Sequence, residues 1–502
     1  MAGLRGVSAS SSRPPILQIL SAPRLLLILA LLVAATGYPD GAGGKALSSL
    51  NLRSFLEQKT AITSSSNSSS SNSLSHRSRQ RKGAIILEII HRDHCSGQET
   101  ATWYDKAEKT LISDDARVRS MQSRMKSLIY RKKDEVTLPQ IPLTSGIKFQ
   151  TLNYIVSVAL GGRKMSLIVD TGSDLTWVQC QPCRVCYNQQ DPMFNPSFSP
   201  SYRSISCNSS TCQSLLFEAG NSGTCSGMAP QTCSYTVSYG DGSYTRGELG
   251  LDTLSLRTVS VSSFIFGCGR NNKGLFGGAS GLMGLGRSSV SLISQASAMF
   301  GGVFSYCLPS AEATSTGSLV FGGDSSVYKN STPFSYADII PNLQLPTFYF
   351  LNLTGVSVGT VALESPSFGK AGILIDSGTV ISRLQPSIYR ALKVEFLRQF
   401  SGFPSAPGFS ILDTCFNLSS YQEVDIPDIK MHFGGNAQLV VDVMGVFYFA
   451  KSDASQVCLA VASLTYEDDI GIIGNYQQKN QRIIYDTKGN KLGMAKETCN
   501  FI

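Results

Sequence analysis

Histidine is scarce in this chain. Of 502 residues only four are His, at 76, 91, 94 and 432, and three of these precede residue 135. The remaining body offers His432 alone, which cannot supply a His-x-x-x-His metal site. Met431-His432-Phe433-Gly434 reads as a strand end carrying a structural histidine. No Gly-x-Ser-x-Gly lies between a strand and a helix, and the glycine-rich stretch 274–286 lacks the Gly-Lys-Ser/Thr ending of a phosphate loop. Neither serine-hydrolase chemistry nor nucleotide binding is supported. Net positive charge is equally missing from the body. Residues 1–134 hold 20 Lys+Arg against 10 Asp+Glu, while residues 135–502 hold 23 against 25. The formal net charge of +8 thus belongs to the N-terminal third. No basic stripe with interleaved aromatics follows it, so no nucleic-acid partner is expected for a processed form. Nor is a membrane anchor expected, because no long apolar run or C-terminal anchor signal follows the leader.

Cysteine, by contrast, is plentiful. Cys95 stands apart, and twelve more fall between Cys180 and Cys499. An even dozen behind an apolar leader argues for disulfides formed in an oxidising compartment. The competing reading of Cys180-x2-Cys183-x2-Cys186 is a metal site. The leader has Arg5, Arg13 and Arg24 ahead of the apolar run LLLILALLVAA at 25–35, closing on Ala34, Ala35 and Gly37. That is a signal-peptide layout over 1–37, with a plastid transit peptide as the alternative. Residues 38–82, including the Ser/Asn tract 64–73, predict a disordered spacer. Next, 85–90 (IILEII) predicts a strand. Residues 114–130 predict a helix, with Asp114-Asp115 at its start and Arg131-Lys132-Lys133 at its end. A charged, solvated helix is the plain alternative for that run.

The body is organised around one stretch and its echo. Residues 167–178 read LIVDTGSDLTWV and residues 373–384 read ILIDSGTVISRL. Each has an apolar run, then Asp-Thr/Ser-Gly, then a hydroxyl residue: Asp170-Thr171-Gly172-Ser173 and Asp376-Ser377-Gly378-Thr379. The apolar runs predict buried strands, and each Gly lets the chain turn so that its Asp sits at a loop tip. Two such loops face to face bring two carboxylates together. A pair sharing one site cannot both ionise cheaply, so one keeps a proton. The ionised member can deprotonate a water attacking a carbonyl while the protonated member serves the carbonyl oxygen. Neither a cofactor nor a metal is needed.

On these residues the chain resembles the pepsin-like aspartic proteases, from about Asn153 to the C-terminus. Tyr239-Gly240-Asp241-Gly242-Ser243 is similar to the family's flap tip, and Trp177 to the tryptophan whose indole N–H meets the flap tyrosine. Gly281-Leu282-Met283-Gly284 and Gly471-Ile472-Ile473-Gly474 are similar to the segments that brace the two loops. The cysteine-rich insert makes the finer resemblance one to the plant nepenthesin-type group, and within it to the chloroplast nucleoid DNA-binding aspartic proteases. The resemblance implies a mainly all-β, bilobal acid-protease fold with the site in the cleft between lobes 141–333 and 334–502. It implies endopeptidase action on polypeptide, by a monomer, with residues 38–140 as a prosegment that inhibits its own enzyme by setting a basic side chain against the carboxylates. Such a precursor is expected to be latent near neutral pH and to convert on acidification. Thr171 and Ser377 are expected to clamp the loops, and Ser173 and Thr379 to bond the outer carboxylate oxygens.

The same resemblance implies bridges Cys180–Cys183, Cys186–Cys268, Cys207–Cys233, Cys212–Cys225, Cys307–Cys499 and Cys415–Cys458. Asn67, Asn208, Asn330, Asn352 and Asn417 are glycosylation sequons. A secreted or vacuolar destination is expected, with the chloroplast as alternative. Two other functions compete: an inactive pepsin fold serving as an inhibitor or binding protein, and DNA binding through the basic N-terminal third.

Overall fold

The computed structural model describes residues 46–57, 78–81, 83–91, 102–129, 154–215, 224–225, 231–239, 243–274, 276–310, 316–323, 325–328, 333–370 and 372–499. The leader 1–37, the tract 64–73, Gly240, Asp241, Asn67 and Asn330 lie outside them.

The fold is mostly β and bilobal, with one motif used twice. In the first lobe Arg163–Asp170 runs parallel to Gly281–Gly284, which also lies antiparallel to Trp177–Gln179. In the second lobe Ile373–Ile375 runs parallel to Gly471–Ile473, and Arg383 of Ser382–Leu384 stands opposite Ile472. Strands flanked on both sides read as continuous apolar runs rather than alternating ones. Leu167-Ile168-Val169 and Ile373-Leu374-Ile375 are buried throughout, and each delivers its Asp to the inter-lobe face.

A sheet joins the lobes and draws in the N-terminal third. Val303–Cys307 pairs with Gln481–Asp486 on one side and Gly317–Phe321 on the other. Gly317–Phe321 next pairs with Ala84–His91, whose far end pairs with Tyr154–Leu160. All eight residues of Ala84–His91 are buried, so this strand is built into the core.

Two expectations for the N-terminal third need correction. The spacer 38–82 is not wholly irregular, since Leu47–Asn51 is a strand paired with Glu423–Pro427, and Ser78–Arg81 pairs with Ala84–His91. Leu50, Leu52 and Phe55 are buried there, a local apolar cluster dense enough to anchor the segment. Likewise, the helix runs Trp103–Ile129 rather than starting at Asp114. Thr102 Oγ1 accepts from Asp105 N, and the Asp105 carboxylate accepts from Thr102 N, both at 3.2 Å: a capping box one sees only with the start known. Ala107, Leu111, Asp114, Val118 and Met125 form its buried face at helical spacing. Asp114 is thus a mid-helix residue on the buried stripe.

The cysteine pairing also departs from the implied one. The bridges are Cys180–Cys268, Cys183–Cys186, Cys212–Cys233, Cys307–Cys499 and Cys415–Cys458. Cys180–Cys183, Cys186–Cys268, Cys207–Cys233 and Cys212–Cys225 are therefore overturned; Cys207 is also disulfide-bonded. Strand pairing gives the reason for the first two. Trp177–Gln179 lies parallel to residues 267–269, which sets the Cα atoms of Cys180 and Cys268 5.3 Å apart. That is ordinary bridging distance, and Cys183 and Cys186 are left to each other. The Cys180/Cys183/Cys186 metal site goes with it. A similar proximity, 5.7 Å between Cα atoms, takes Cys233 to Cys212.

Candidate active site

The two Asp-Thr/Ser-Gly loops meet at their tips. Thr171 N donates to Ser377 Oγ at 3.1 Å and Ser377 N donates to Thr171 Oγ1 at 2.9 Å, a reciprocal pair across the two lobes. Gly172 N donates to Asp170 Oδ1 (3.0 Å) and Gly378 N to Asp376 Oδ1 (2.9 Å). Neither glycine could carry a side chain. A Cβ at Gly172 would lie 2.6 Å from Asp376 Oδ1, and one at Gly378 would lie 2.4 Å from Asp170 Oδ1. Each loop's glycine is thus the wall of the other loop's carboxylate.

The hydroxyl followers behave differently. Thr379 Oγ1 donates to Asp376 Oδ2 at 2.6 Å. Ser173, expected to do the same for Asp170, stands off from it: its Oγ and Asp170 Oδ2 are buried and make no hydrogen bond of ordinary geometry, although the Ser173 hydroxyl still draws the Asp170 pKa down. Asp170 Oδ1 takes both Gly172 N and a guanidinium, which fixes the carboxylate's orientation.

That guanidinium belongs to Arg117, on the N-terminal helix. Its Nη2 donates to Asp170 Oδ1 at 3.0 Å and to Asp376 Oδ2 at 3.1 Å. Both carboxylates are fully buried and Arg117 is 5% exposed. Despite burial, the two carboxylates hold the guanidinium above its usual pKa. Burial pushes Asp170 up; Arg117 pulls against it and the charge of Asp376 adds to it. Burial also pushes Asp376 up, but Arg117, the Thr379 hydroxyl and Gly378 N–H outweigh it and hold Asp376 below the usual range. Of the pair, Asp376 is thus the more acidic member in this state, and the two titrate together.

Behind the second loop, Asn475 Nδ2 donates to Ser377 O, while Asn475 N and Tyr476 N donate to Thr379 O and Val380 O. Gln478 Nε2 reaches Ile473 O at 2.9 Å. Sequence reasoning passed over these amides, although they directly follow Gly471-Ile472-Ile473-Gly474. It also left unnumbered the basic residue that meets the dyad. After Lys109 the helix carries four Arg or Lys side chains, Arg117, Arg119, Arg124 and Lys126, and nothing local distinguishes Arg117 among them.

Above the dyad, Cys233–Ser238 and the start of Tyr244–Ser255 form a hairpin, closed by Tyr239 N donating to Ser243 O at 2.8 Å. Trp177 Nε1 donates to Tyr239 Oη at 2.7 Å, as the resemblance implies. The space below the hairpin is lined by Asp170, Ser173, Tyr239 and, from the helix, Arg117, Met121 and Arg124. The helix thus fills ground between hairpin and dyad. His432 lies away from all this, its Nε2 2.9 Å from Ser357 Oγ on the neighbouring strand. Of the described sequons, Asn208 is exposed, whereas Asn352 and Asn417 are half-buried. Among the described residues no cluster of His, Cys, Asp and Glu is placed to hold a metal, and no helix is long and apolar enough to cross a membrane.

Family models described as "Xylanase inhibitor N-terminal" and "Xylanase inhibitor C-terminal" match residues 154–323 and 348–496. An aspartyl protease family protein of Arabidopsis thaliana is 40% identical over 485 residues, 95% of this chain and 98% of the relative. Aspartic proteinase nepenthesin-1 of Nepenthes gracilis is 36% identical over 69% of this chain and 78% of its own length. Among solved structures, basic 7S globulin from soybean superimposes with TM-score 0.53 at 19% identity, covering 69% of this chain and 92% of the globulin. That last likeness concerns the fold alone.

Proposed function

The chain belongs to the plant pepsin-like aspartic proteases of the nepenthesin-type group and is a hydrolase of the aspartic endopeptidase class; from that premise we propose that it is made as a latent precursor whose Trp103–Ile129 helix occupies its own dyad. The observation that carries this reading is the single Arg117 nitrogen shared between Asp170 and Asp376. A guanidinium there stands where a water and a peptide carbonyl have to be. A charged, solvated helix would not put a buried cation on two buried carboxylates.

Once the helix leaves, the dyad is free to hold a water. The ionised carboxylate takes a proton from that water as its oxygen bonds to the scissile carbonyl carbon. The protonated carboxylate gives its proton to the carbonyl oxygen, so a neutral tetrahedral diol forms with no covalent enzyme bond. Collapse breaks the C–N bond as a dyad proton passes to the nitrogen, and the other carboxyl recovers a proton from the diol. Gly172 N and Gly378 N keep the two carboxylates aligned through both steps. Tyr239, tethered by Trp177, closes over the peptide and excludes solvent.

The processed body then comprises the two lobes from about residue 141, acting on polypeptide without a cofactor. The leader and the disulfides support export to the apoplast or vacuole. An inactive inhibitor-like scaffold would draw support from the family models' descriptions, but the complete pair of loops and the flap tyrosine speak for catalysis. The deciding experiment is to follow peptide cleavage by the full chain before and after acid-induced processing, with and without a statine-type transition-state mimic. Expected are a silent precursor at neutral pH and an inhibitor-sensitive processed form. A precursor as active as its product at every pH, or a processed form that cleaves nothing, overturns the reading.

A further inference from the structure

The helix leaves behind a second contact as specific as the one at the dyad. Asp114, fully buried, takes three donors from the second lobe: Val380 N at 2.6 Å, Ile381 N at 3.1 Å and Arg383 Nη2 at 2.9 Å. Arg383 is 2% exposed, and its one ion pair among the described residues is this one. The donors are held in place by the lobe itself, not by the helix. Val380 O accepts from Tyr476 N and Thr379 O from Asn475 N, so the amides of 380 and 381 stay turned toward the cleft. Arg383 Nη1 is tied to Ile381 O at 2.8 Å, which fixes the plane of the guanidinium. When Asp114 departs, two amides and a guanidinium lose together the carboxylate they share. Three donors already converge on one point and are held there by the lobe, so the site binds an anion readily and loses little entropy in doing so.

We propose that Val380 N, Ile381 N and Arg383 form an acidic-side-chain subsite in the processed enzyme, which selects polypeptide carrying Asp or Glu beside the scissile bond. The inference rests on the reading that the helix is removed. Its position follows from the helix geometry: Asp114 and Arg117 are three residues apart, about 4.5 Å along the axis. An extended peptide advances about 3.3 Å per residue, which puts the acidic side chain within two residues of the bond cleaved. It lies on the side of the second lobe, since Val380 directly follows Thr379, the residue bonded to Asp376. Arg383 touches the substrate side chain and not the reacting atoms, so it sets specificity.

The test uses the full chain after processing and a set of C-terminally amidated peptides. In these, each position within three residues of a fixed scissile bond carries Asp, Glu, Asn or Gln, and the pH lies above about 5.5 so that acidic side chains are ionised. At one position the acid should exceed its amide isostere in kcat/KM by about tenfold or more, mostly through KM. Arg383→Met should bring that acid-to-amide ratio close to one, whatever the absolute rate, and Arg383→Lys should retain part of it. A second arm does not depend on catalysis or on the variant folding. A labelled synthetic peptide of residues 105–126 is bound to processed wild-type protein, and its Asp114→Asn form should bind about tenfold more weakly. A uniform profile across positions, an acid preference that survives Arg383→Met, or equal binding of the two helix peptides overturns the subsite. Absence of cleavage of every peptide, with the Asp114 peptide still favoured, instead removes the protease reading while leaving the anion site in place.

Discussion

In the second lobe the carboxylate loop is braced from every side. Thr379 bonds Asp376 Oδ2, Asn475 holds the backbone behind, and Asp114 of the N-terminal helix caps the next two amides. In the first lobe Asp170 has Gly172 N and the shared Arg117, while Ser173 Oγ and Asp170 Oδ2 make no hydrogen bond of ordinary geometry. The helix continues the same bias. Gln122 exchanges two hydrogen bonds with Ile470, Lys126 pairs with Asp469 at 2.8 Å, and Trp103 Nε1 donates to Phe449 O. Its apolar stripe packs there too, Leu111 in one cluster with Val380 and Ile381, and Val118 in another with Leu374 and Ile472. The strand Ala84–His91 is instead embedded between Gly317–Phe321 and Tyr154–Leu160. The helix therefore rides on the second lobe, with Arg117 reaching across to the first. Its sequence neighbour, the strand, is tied into the joining sheet, so the two parts of the segment need not be released together.

Breaking the dyad from either lobe should have the largest effect. Asp170→Asn and Asp376→Asn each abolish the shared proton, and peptide cleavage by processed protein should fall by at least about 10²–10⁴-fold. Folding, read by thermal melting, should change little. Either variant cleaving at the unmodified rate would end the two-carboxylate mechanism.

Arg117→Ala cuts the helix's bond to the dyad while sparing its other bonds to the second lobe, those of Asp114, Gln122 and Lys126. Removing one partner of a buried ion pair costs about 3–5 kcal/mol. The full chain should then process itself or cleave peptide at neutral pH, where the unmodified precursor is silent. Hydrogen exchange should show the helix still protected around Gln122 and loosened around residue 117. Unchanged latency would mean that Arg117 does not restrain the enzyme.

Acid should sharpen the same asymmetry. Arg117 lowers both Asp170 and Asp376, so losing it raises both; the docked state is favoured where the pair is ionised and weakens as acid protonates it. Burial raises Asp114 against Arg383, and that group opposes release as pH falls. Acid release is therefore carried by the dyad facing Arg117. Trp103 fluorescence, followed across pH with Trp177→Phe as background, reports it. Helix release that is unchanged by acid, or that grows as pH rises toward neutrality, would contradict this assignment.

The smallest expected effect lies on the flap of the first lobe. Trp177→Phe removes the indole donor to Tyr239 Oη while keeping the aromatic packing. The loss is about 1 kcal/mol, or roughly fivefold in kcat/KM for an extended peptide. A change of 10²-fold or more would show that Trp177 supports the dyad loop itself.

Much of the candidate site could be read from residue order because it is built from local repetition. Asp-Thr/Ser-Gly after an apolar run is a strand entering a tight turn wherever it occurs, and two copies imply two lobes. The clamp between Thr171 and Ser377 follows from that symmetry. The Ser173–Asp170 bond does not, because it depends on how the guanidinium orients the carboxylate. The helix start at Trp103 was hidden by Asp114-Asp115, which look like a helix start but are spent on the second lobe. Four of the six implied bridges failed for a related reason. The cysteines of the insert are close in sequence, yet the parallel pairing of Trp177–Gln179 with residues 267–269 decides which of them are close in space.

Residue types and their spacing alone determined the two carboxylate loops and the neutral, histidine-poor body that leaves acid–base chemistry to aspartate; the flap tyrosine with its tryptophan came with the family resemblance. Tertiary structure alone decided that Arg117, among several cations on one helix, is the one at the dyad. It alone decided that Asp114 is buried against Arg383, and that Cys180 joins Cys268. The division has one physical cause. Turn chemistry and strand burial act over a few neighbouring residues and leave a pattern in the chain, whereas an ion pair or a disulfide across a hundred residues or more is settled by whichever partners the packed sheets bring within reach.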